Sequence, residues 1–352
     1  MFEAIIGLCL LSDPALCRDM LVPGYEAGTR AACERLLADS QSQSIPRPDP
    51  GPKVRFSSGE PRCAPAGPVA SFGEVAPGVF VHRGMISDAA TGNAGDVSNV
   101  GFVIGESVVA VIDSGGSRQV AESIYRAVRR QTSLPIGYVI LTHMHPDHVL
   151  GASVFAEAGA RVIGHAGLPR ALQDRQEAYL ANFGRLIGAA GFLGTEVVLP
   201  DSVVDQTAEL DLGNRVLALQ AWPDAHSGTD LTVGDPRTGI LFAGDLLFDE
   251  HAPALDGSAL GWRDVLARLQ ALPYQKIVPG HGGPLLDWPQ AAAPLQDYLD
   301  VLIDDTRAAI ARGDTLGQAA ETVAQSQSDH WALFELFNPR NATVAYTELE
   351  WE

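Results

Sequence analysis

Basic residues are scarce in this 352-residue chain: 24 Lys and Arg stand against 43 Asp and Glu, a formal net charge of −19, with no Lys/Arg-rich run. That balance argues against nucleic acid as a partner, because phosphates need a basic face to neutralise them. It argues equally against an anionic membrane surface. Long apolar runs are missing too, and none approaches the ~20 residues of a membrane span. Cysteine is confined to Cys9, Cys17, Cys33 and Cys63, all in the first fifth of the chain. No CxxC occurs and the spacings are wide, which disfavours a zinc knuckle. An even number of cysteines in one short segment reads instead as a disulfide framework, hence an oxidising compartment. Three pairings are open. With 46% hydrophobic and 19% charged residues, the chain otherwise has the composition of a globular protein with ample core.

Histidine is also sparse, at 9 residues, yet three lie in Thr142-His-Met-His-Pro-Asp-His148. His143, His145, Asp147 and His148 place four candidate metal ligands within six residues. The preceding Tyr138-Val-Ile-Leu141 is short, apolar and β-branched, and reads as a buried strand. At its extended end His143 and His145, two residues apart, aim the same way. Pro146 is suited to open a helix, which turns Asp147 and His148 elsewhere. One stretch can thus serve two neighbouring metals.

Residues 2–40 read as helical, with Thr29, Ala32, Cys33, Leu36 and Leu37 on one face of 25–40. Residues 41–70 are rich in Pro, Ser and Gly and read as a linker that Cys63 pins. The division expected is residues 1–70 as a helical, disulfide-pinned segment with its linker, and 71–352 as the main domain. The start is apolar but lacks a positive n-region and carries Glu3, a poor signal peptide; Met1 is expected to replace a removed export signal. In the main domain, a strand at 79–82 precedes a polar loop at 84–98, and a hairpin pairs 100–104 with 108–112. Asp113-Ser-Gly-Gly116 turns into a helix at 118–130, and a helical insertion spans 170–190. Strands recur near 196–199, 203–204, 209–212, 215–221, 230–234, 239–243 and 276–278, with helices at 262–272, 289–312, 314–325 and 330–350. Strands in two batches, each followed by helices, suggest two sheets face to face with helices outside.

His143-x-His145-x-Asp147-His148 after a Val-Ile-Leu-Thr strand resembles the signature of the metallo-β-lactamase-fold hydrolases. Later motifs follow in that family's order: His226 in Asp-Ala-His-Ser-Gly-Thr-Asp, Asp245 in Leu-Phe-Ala-Gly-Asp, and His281 in Pro-Gly-His-Gly. Asp113 matches the family's structural aspartate, expected to hold a ligand imidazole in one tautomer. The resemblance covers roughly residues 72–300. It implies an α/β four-layer αβ/βα sandwich, here with a small helical cysteine-containing N-terminal extension. It also implies two Zn²⁺ per chain, one on His143, His145 and His226 and the other on Asp147, His148 and His281, with Asp245 bridging. Metals ~3.5–4 Å apart can hold and activate a hydroxide between them.

The expected activity is metal-dependent hydrolysis of a small-molecule ester, lactone, thioester or amide, β-lactams included. Asp147 would be both ligand and catalytic orienter of the nucleophile. The loop at 84–98, Tyr179, Phe183, Trp222, Trp262 and His251 are candidate pocket residues. The cysteine-bearing N-terminus, Asp256-Gly-Ser258 and the ending 341–350 resemble bacterial quinoprotein relay system zinc metallohydrolases. That resemblance implies a periplasmic location and a quinoprotein dehydrogenase as a candidate partner. Two alternatives stand: a mononuclear iron dioxygenase using His143, His226 and Asp245, and a non-catalytic accessory protein of such a dehydrogenase.

Overall fold

The computed structural model of the chain describes residues 1–11, 13–39 and 56–352. The N-terminal part corrects the helical expectation. Strands β1 (Phe2–Leu10) and β2 (Cys17–Ala27) form an antiparallel hairpin, followed by a helix, α1 (Arg30–Asp39), and short strands β3 (Phe56–Ser58) and β4 (Arg62–Pro65), both paired with β1. The physical reason is periodicity. Ala4, Ile6 and Leu8 bury one face of β1 with Met20, Val22 and Cys33, while Glu3 and Ile5 are buried on the other. A strand covered on both sides is a nearly continuous apolar run, which periodicity alone does not separate from a buried helix. Cys9 and Cys17 are register partners and are disulfide-bonded; Cys33 of α1 is bonded to Cys63 of β4. Half of the expected linker, residues 41–55, lies outside the described residues.

Next come β5 (Gly73–Ala76), β6 (Val79–His82), β7 (Val100–Ile104), β8 (Val109–Ile112), β9 (Ile136–Ile140), β10 (Arg161–His165) and β11 (Ser202–Val204). They form one seven-stranded sheet in the order β11-β10-β9-β8-β7-β6-β5. Helices α2 (Arg118–Gln131), α3 (Pro146–Val149), α4 (Ala152–Glu157), α5 (Leu168–Ile187) and α6 (Ala189–Phe192) lie between its strands. The second sheet runs in sequence order through β12 (Thr207–Asp211), β13 (Val216–Ala221), β14 (Leu231–Asp235), β15 (Ile240–Phe248), β16 (Lys276–His281) and β17 (Leu286–Asp287). Helices α7 (Ala259–Gln270), α8 (Ala293–Arg312), α9 (Leu316–Thr322) and α10 (Phe334–Leu349) complete the chain. The strand expected near 196–199 is irregular, and the last helix begins at Phe334 after a 3₁₀ turn at Gln325–His330.

Side-chain alternation assembles the layers. In β8, Ala110 and Ile112 face the opposing sheet, while Val109 and Val111 face α2 and α4. In β15, Ile240 and Phe242 face the first sheet, while Leu241 and Ala243 face α7 and α8. The two sheets share a core containing Val81, Val103, Ile140, Leu219, Val233 and Val278. This is the four-layer αβ/βα sandwich. At Gly101 an added Cβ would lie 2.3 Å from the Phe242 ring, so this glycine lets the sheets approach.

Candidate metal centre

The centre forms where strands of both sheets end on one side. Asp113 follows β8 in the left-handed backbone region, φ 63°. That conformation costs a non-glycine residue ~1–3 kcal/mol unless its surroundings hold it. Here the carboxylate accepts from Thr142 N, Thr142 Oγ1 and His148 Nδ1, each at 2.8 Å. Asp113 thereby ties the end of β8 to the turn after β9. Pro146 opens α3, as its fixed φ suits, so Asp147 and His148 sit in a helical turn while His143 and His145 stay in the extended segment before it.

Seven side chains named from the sequence come together as two adjoining groups. His143, His145, His226 and Asp245 form one; Asp147, His148 and His281 form the other. Within each, one donor atom per residue lies within 4.8 Å of the rest. Asp245 stands between them. Its Oδ2 is 3.6 Å from His143 Nε2 and 3.5 Å from His226 Nε2, and its Oδ1 is 3.1 Å from His148 Nε2 and 3.4 Å from His281 Nε2. His226 Nε2 lies 3.0 Å from His145 Nδ1, and Asp147 Oδ2 lies 3.3 Å from His281 Nε2. Gly280 makes room: a Cβ there would sit 1.8 Å from Asp245 Oδ1.

The far nitrogens of four imidazoles are tied down. His143 Nδ1 donates to Thr142 Oγ1 at 3.0 Å, which itself donates to Asp113. His145 Nε2 donates to Asp256 at 3.1 Å, His148 Nδ1 to Asp113, and His281 Nδ1 to Val97 O at 2.9 Å. Each tie fixes a tautomer whose lone pair points inward, the arrangement metal-bound histidines use. The inward atoms His143 Nε2, His148 Nε2 and Asp245 Oδ1 are buried without a hydrogen-bond partner. Such orphaned atoms are costly to bury. Convergent imidazole and carboxylate donors fit divalent metal ions of the zinc type. His226 Nδ1 is also buried and unpartnered; its ring packs edge-on to Trp262 at 5.1 Å.

The electrostatics without metal are strained. Burial, then the neighbouring imidazoles, hold His143 well below its ordinary value and His226 at about 3. Burial opposes charge on His281 too, but Asp245 and Asp147 raise it to about 9. For His148 the same burial is outweighed by Asp245, Asp147 and Asp113, so it rises well above the ordinary value. Burial would raise Asp245, yet His281, His148 and His143 keep it well below the usual carboxylate range.

A cavity of about 580 Å³ opens over the centre, lined by His145, Asp147, Asp245 and His281 below and by α5 and α10 on its flanks. The loop at 84–98 contributes Ser87, Asp88, Ala89 and Val97, and Tyr179, Phe183 and His251 also face it, as the sequence suggested. Trp222 and Trp262 do not. Both are core residues, whose indole N–H groups donate to Thr232 Oγ1 and Leu246 O. Sequence reasoning missed Asp256 and Arg175. Asp256 Oδ2 also accepts from Arg175 Nη1 at 2.7 Å, so α5 is linked through it to His145. Asp256 is 111 residues from His145, and although Asp256-Gly-Ser258 stood out as a motif, nothing local ties it to that imidazole.

Residues 94–281 match the Metallo-beta-lactamase superfamily profile. Among solved structures, the chain is similar to the stereoselective inverting sec-alkylsulfatase Pisa1 from Pseudomonas sp. (TM-score 0.62, 17% identity), over 80% of this chain and 50% of that one. The chain therefore spans about half the sulfatase's length. It is also similar to the metallo-beta-lactamase from Pontibacter korlensis (TM-score 0.53, 18% identity, 65% of this chain and 98% of that one). A third likeness is to the TMB-1 structure (TM-score 0.52, 18% identity, 66% and 98%). With the profile matching more than half of its residues and the sandwich shared by these structures, the chain belongs to the metallo-beta-lactamase superfamily.

Proposed function

We propose that this protein is a binuclear zinc hydrolase that cleaves a small-molecule ester, lactone, thioester or amide. The observation that carries the proposal is Asp245, whose two oxygens face two separate sets of donors. Seven converging ligands exceed the three of a single facial iron site, which favours this reading over a mononuclear dioxygenase. Zinc ions held there would supply a water nucleophile active at neutral pH and polarise the scissile carbonyl. The chain's own residues do the rest. Asp113, Thr142, Asp256 and the Val97 carbonyl orient the imidazoles before any ligand arrives. Asp147, on the cavity floor, orients the attacking water and takes up its proton for the leaving group. The walls of α5 and α10 exclude bulk water. Two disulfides support an exported, periplasmic setting.

The test couples metal content to turnover, using a panel of an aryl ester, a lactone, a thioester, a β-lactam and a sec-alkyl sulfate. The wild type is expected to hold about two zinc ions per chain and to hydrolyse at least one of these. His145→Ala should lose metal and activity together. A metal-depleted variant that keeps its activity, or a wild type carrying one iron and hydrolysing nothing, overturns the proposal.

A further inference from the structure

The cavity walls say more than its floor. Two helices from opposite halves of the fold face it. From α5 come Phe183 and Leu186, and from α10 Phe337 and Val344, giving apolar surface on both sides. The charged residues on the walls are unevenly used. Of the carboxylates lining the cavity, Asp147 and Asp245 belong to the donor groups, Asp256 is held by His145 and Arg175, and Asp88 accepts from the Ala89 N–H at 2.8 Å. Of the arginines, Arg175 is committed to Asp256. Arg185 of α5 and Arg340 of α10 are exposed and have neither ion pair nor hydrogen bond among the described residues. In a chain of net charge −19, with acidic residues in such excess, two uncommitted guanidinium groups facing one cleft are notable. Arginine presents a planar fork of N–H donors that matches carboxylate or sulfate oxygens in pairs.

We propose that the cleft is built for an amphipathic anion: an apolar body lies between α5 and α10, and an acidic head, a carboxylate or sulfate-type group, is held by Arg340 and Arg185 away from the donor cluster. This deepens the hydrolase reading and rests on it only for the claim that the bound anion is a substrate. A neutral group at the reacting end then sits over Asp147 and Asp245, while the remote anion supplies binding energy and orientation. The arginines choose among substrates and do not touch the reacting atoms. Carboxylate and sulfate heads share this recognition chemistry.

The test is binding, so it stands whether or not any substrate is hydrolysed. The zinc-loaded protein is titrated with 8-anilinonaphthalene-1-sulfonate, an aromatic anion, and with N-phenyl-1-naphthylamine, the same skeleton without the sulfonate. Arg340→Glu and Arg185→Glu are compared with Arg130→Glu, an exposed charge reversal on α2 outside the cleft. Losing hydrogen bonds to a charged group should raise the sulfonate's Kd about tenfold or more in each cleft variant. The neutral dye's Kd should stay unchanged, as should both constants in Arg130→Glu. The proposal is overturned if sulfonate affinity survives both cleft reversals, if both dyes weaken alike, or if Arg130→Glu weakens the sulfonate as much.

Discussion

Two regions of this molecule bury many charged groups, and they do so in opposite ways. Where the N-terminal strands meet α2, Glu3, Arg18, Arg118, Glu122 and Arg126 pack together with Glu157 of α4. Arg118 donates to Glu122, twice to Glu157 and to Leu21 O, and Arg126 forks onto Glu3 and reaches Pro68 O. Apart from Arg18 Nε, the polar atoms of this cluster have partners. In the metal centre the donors crowd just as closely. Yet His143 Nε2, His148 Nε2 and Asp245 Oδ1 are partnerless, although Asp245 Oδ1 and His148 Nε2 are only 3.1 Å apart. Buried charge alone therefore does not mark a functional site. Lone pairs aimed at a common point and left unsatisfied do.

The contrast breaks first, and hardest, in the ionic cluster. Arg118→Leu strands Glu157 and Glu122 in the interior and should lower unfolding free energy by ~3–5 kcal/mol, read from denaturant midpoints of the metal-free protein. An unchanged midpoint would mean the cluster is relaxed by water and does not fasten the N-terminal strands. The metal centre should respond less in stability and more in ligand affinity. Asp256→Asn keeps the shape but removes the charge that holds His145, so zinc affinity should fall ~10–100-fold in competition with a chromophoric chelator. If affinity is unaltered, the His145–Asp256–Arg175 chain serves only to anchor α5.

The smallest effect falls on the loop at 84–98, which touches the candidate metal centre through the Val97 carbonyl that holds His281. His82 donates to Ser71 O at 2.8 Å and pairs with Asp96 at 2.7 Å. Burial works against its charge, but Asp96 and the Ser71 carbonyl prevail and raise it above the ordinary value. A raised value means the folded form binds the proton more tightly. The stabilisation is therefore complete below the unfolded value of about 6.5 and is lost as pH climbs through the higher folded one. The loss should be under about 1 kcal/mol. Amide exchange of the Met85 N–H, bonded to Asp96 O, reads it once corrected for intrinsic rates. Protection that rises with pH would reverse the assignment.

How far the sequence carries the reader differs between the same regions. At the candidate metal centre the converging donors sit in short local motifs, each a strand end followed by a small-residue turn. The convergence of His143, His145, Asp147, His148, His226, Asp245 and His281 was therefore legible, as was the place of Asp113 beside them. The ionic cluster was not, because Glu3, Arg118 and Arg126 carry no pattern that links them across more than a hundred residues. The hairpin of β1 and β2 misled for a related reason. β1 and the middle of β2 are buried on both faces, so the two-residue alternation that distinguishes strand from helix is blurred there.

By itself the amino-acid order determined the candidate donors, the two batches of strands and the cysteine-bearing start, since each is written in neighbouring residues or in a period. Only the tertiary structure decided which cysteines pair and that Asp256 and Arg175 support His145. It alone brought α5 and α10, some 160 residues apart, to the walls of one cleft. The physical reason is that these are contacts between distant segments. They are set by how sheets and helices bury their apolar faces together, and no local propensity records them.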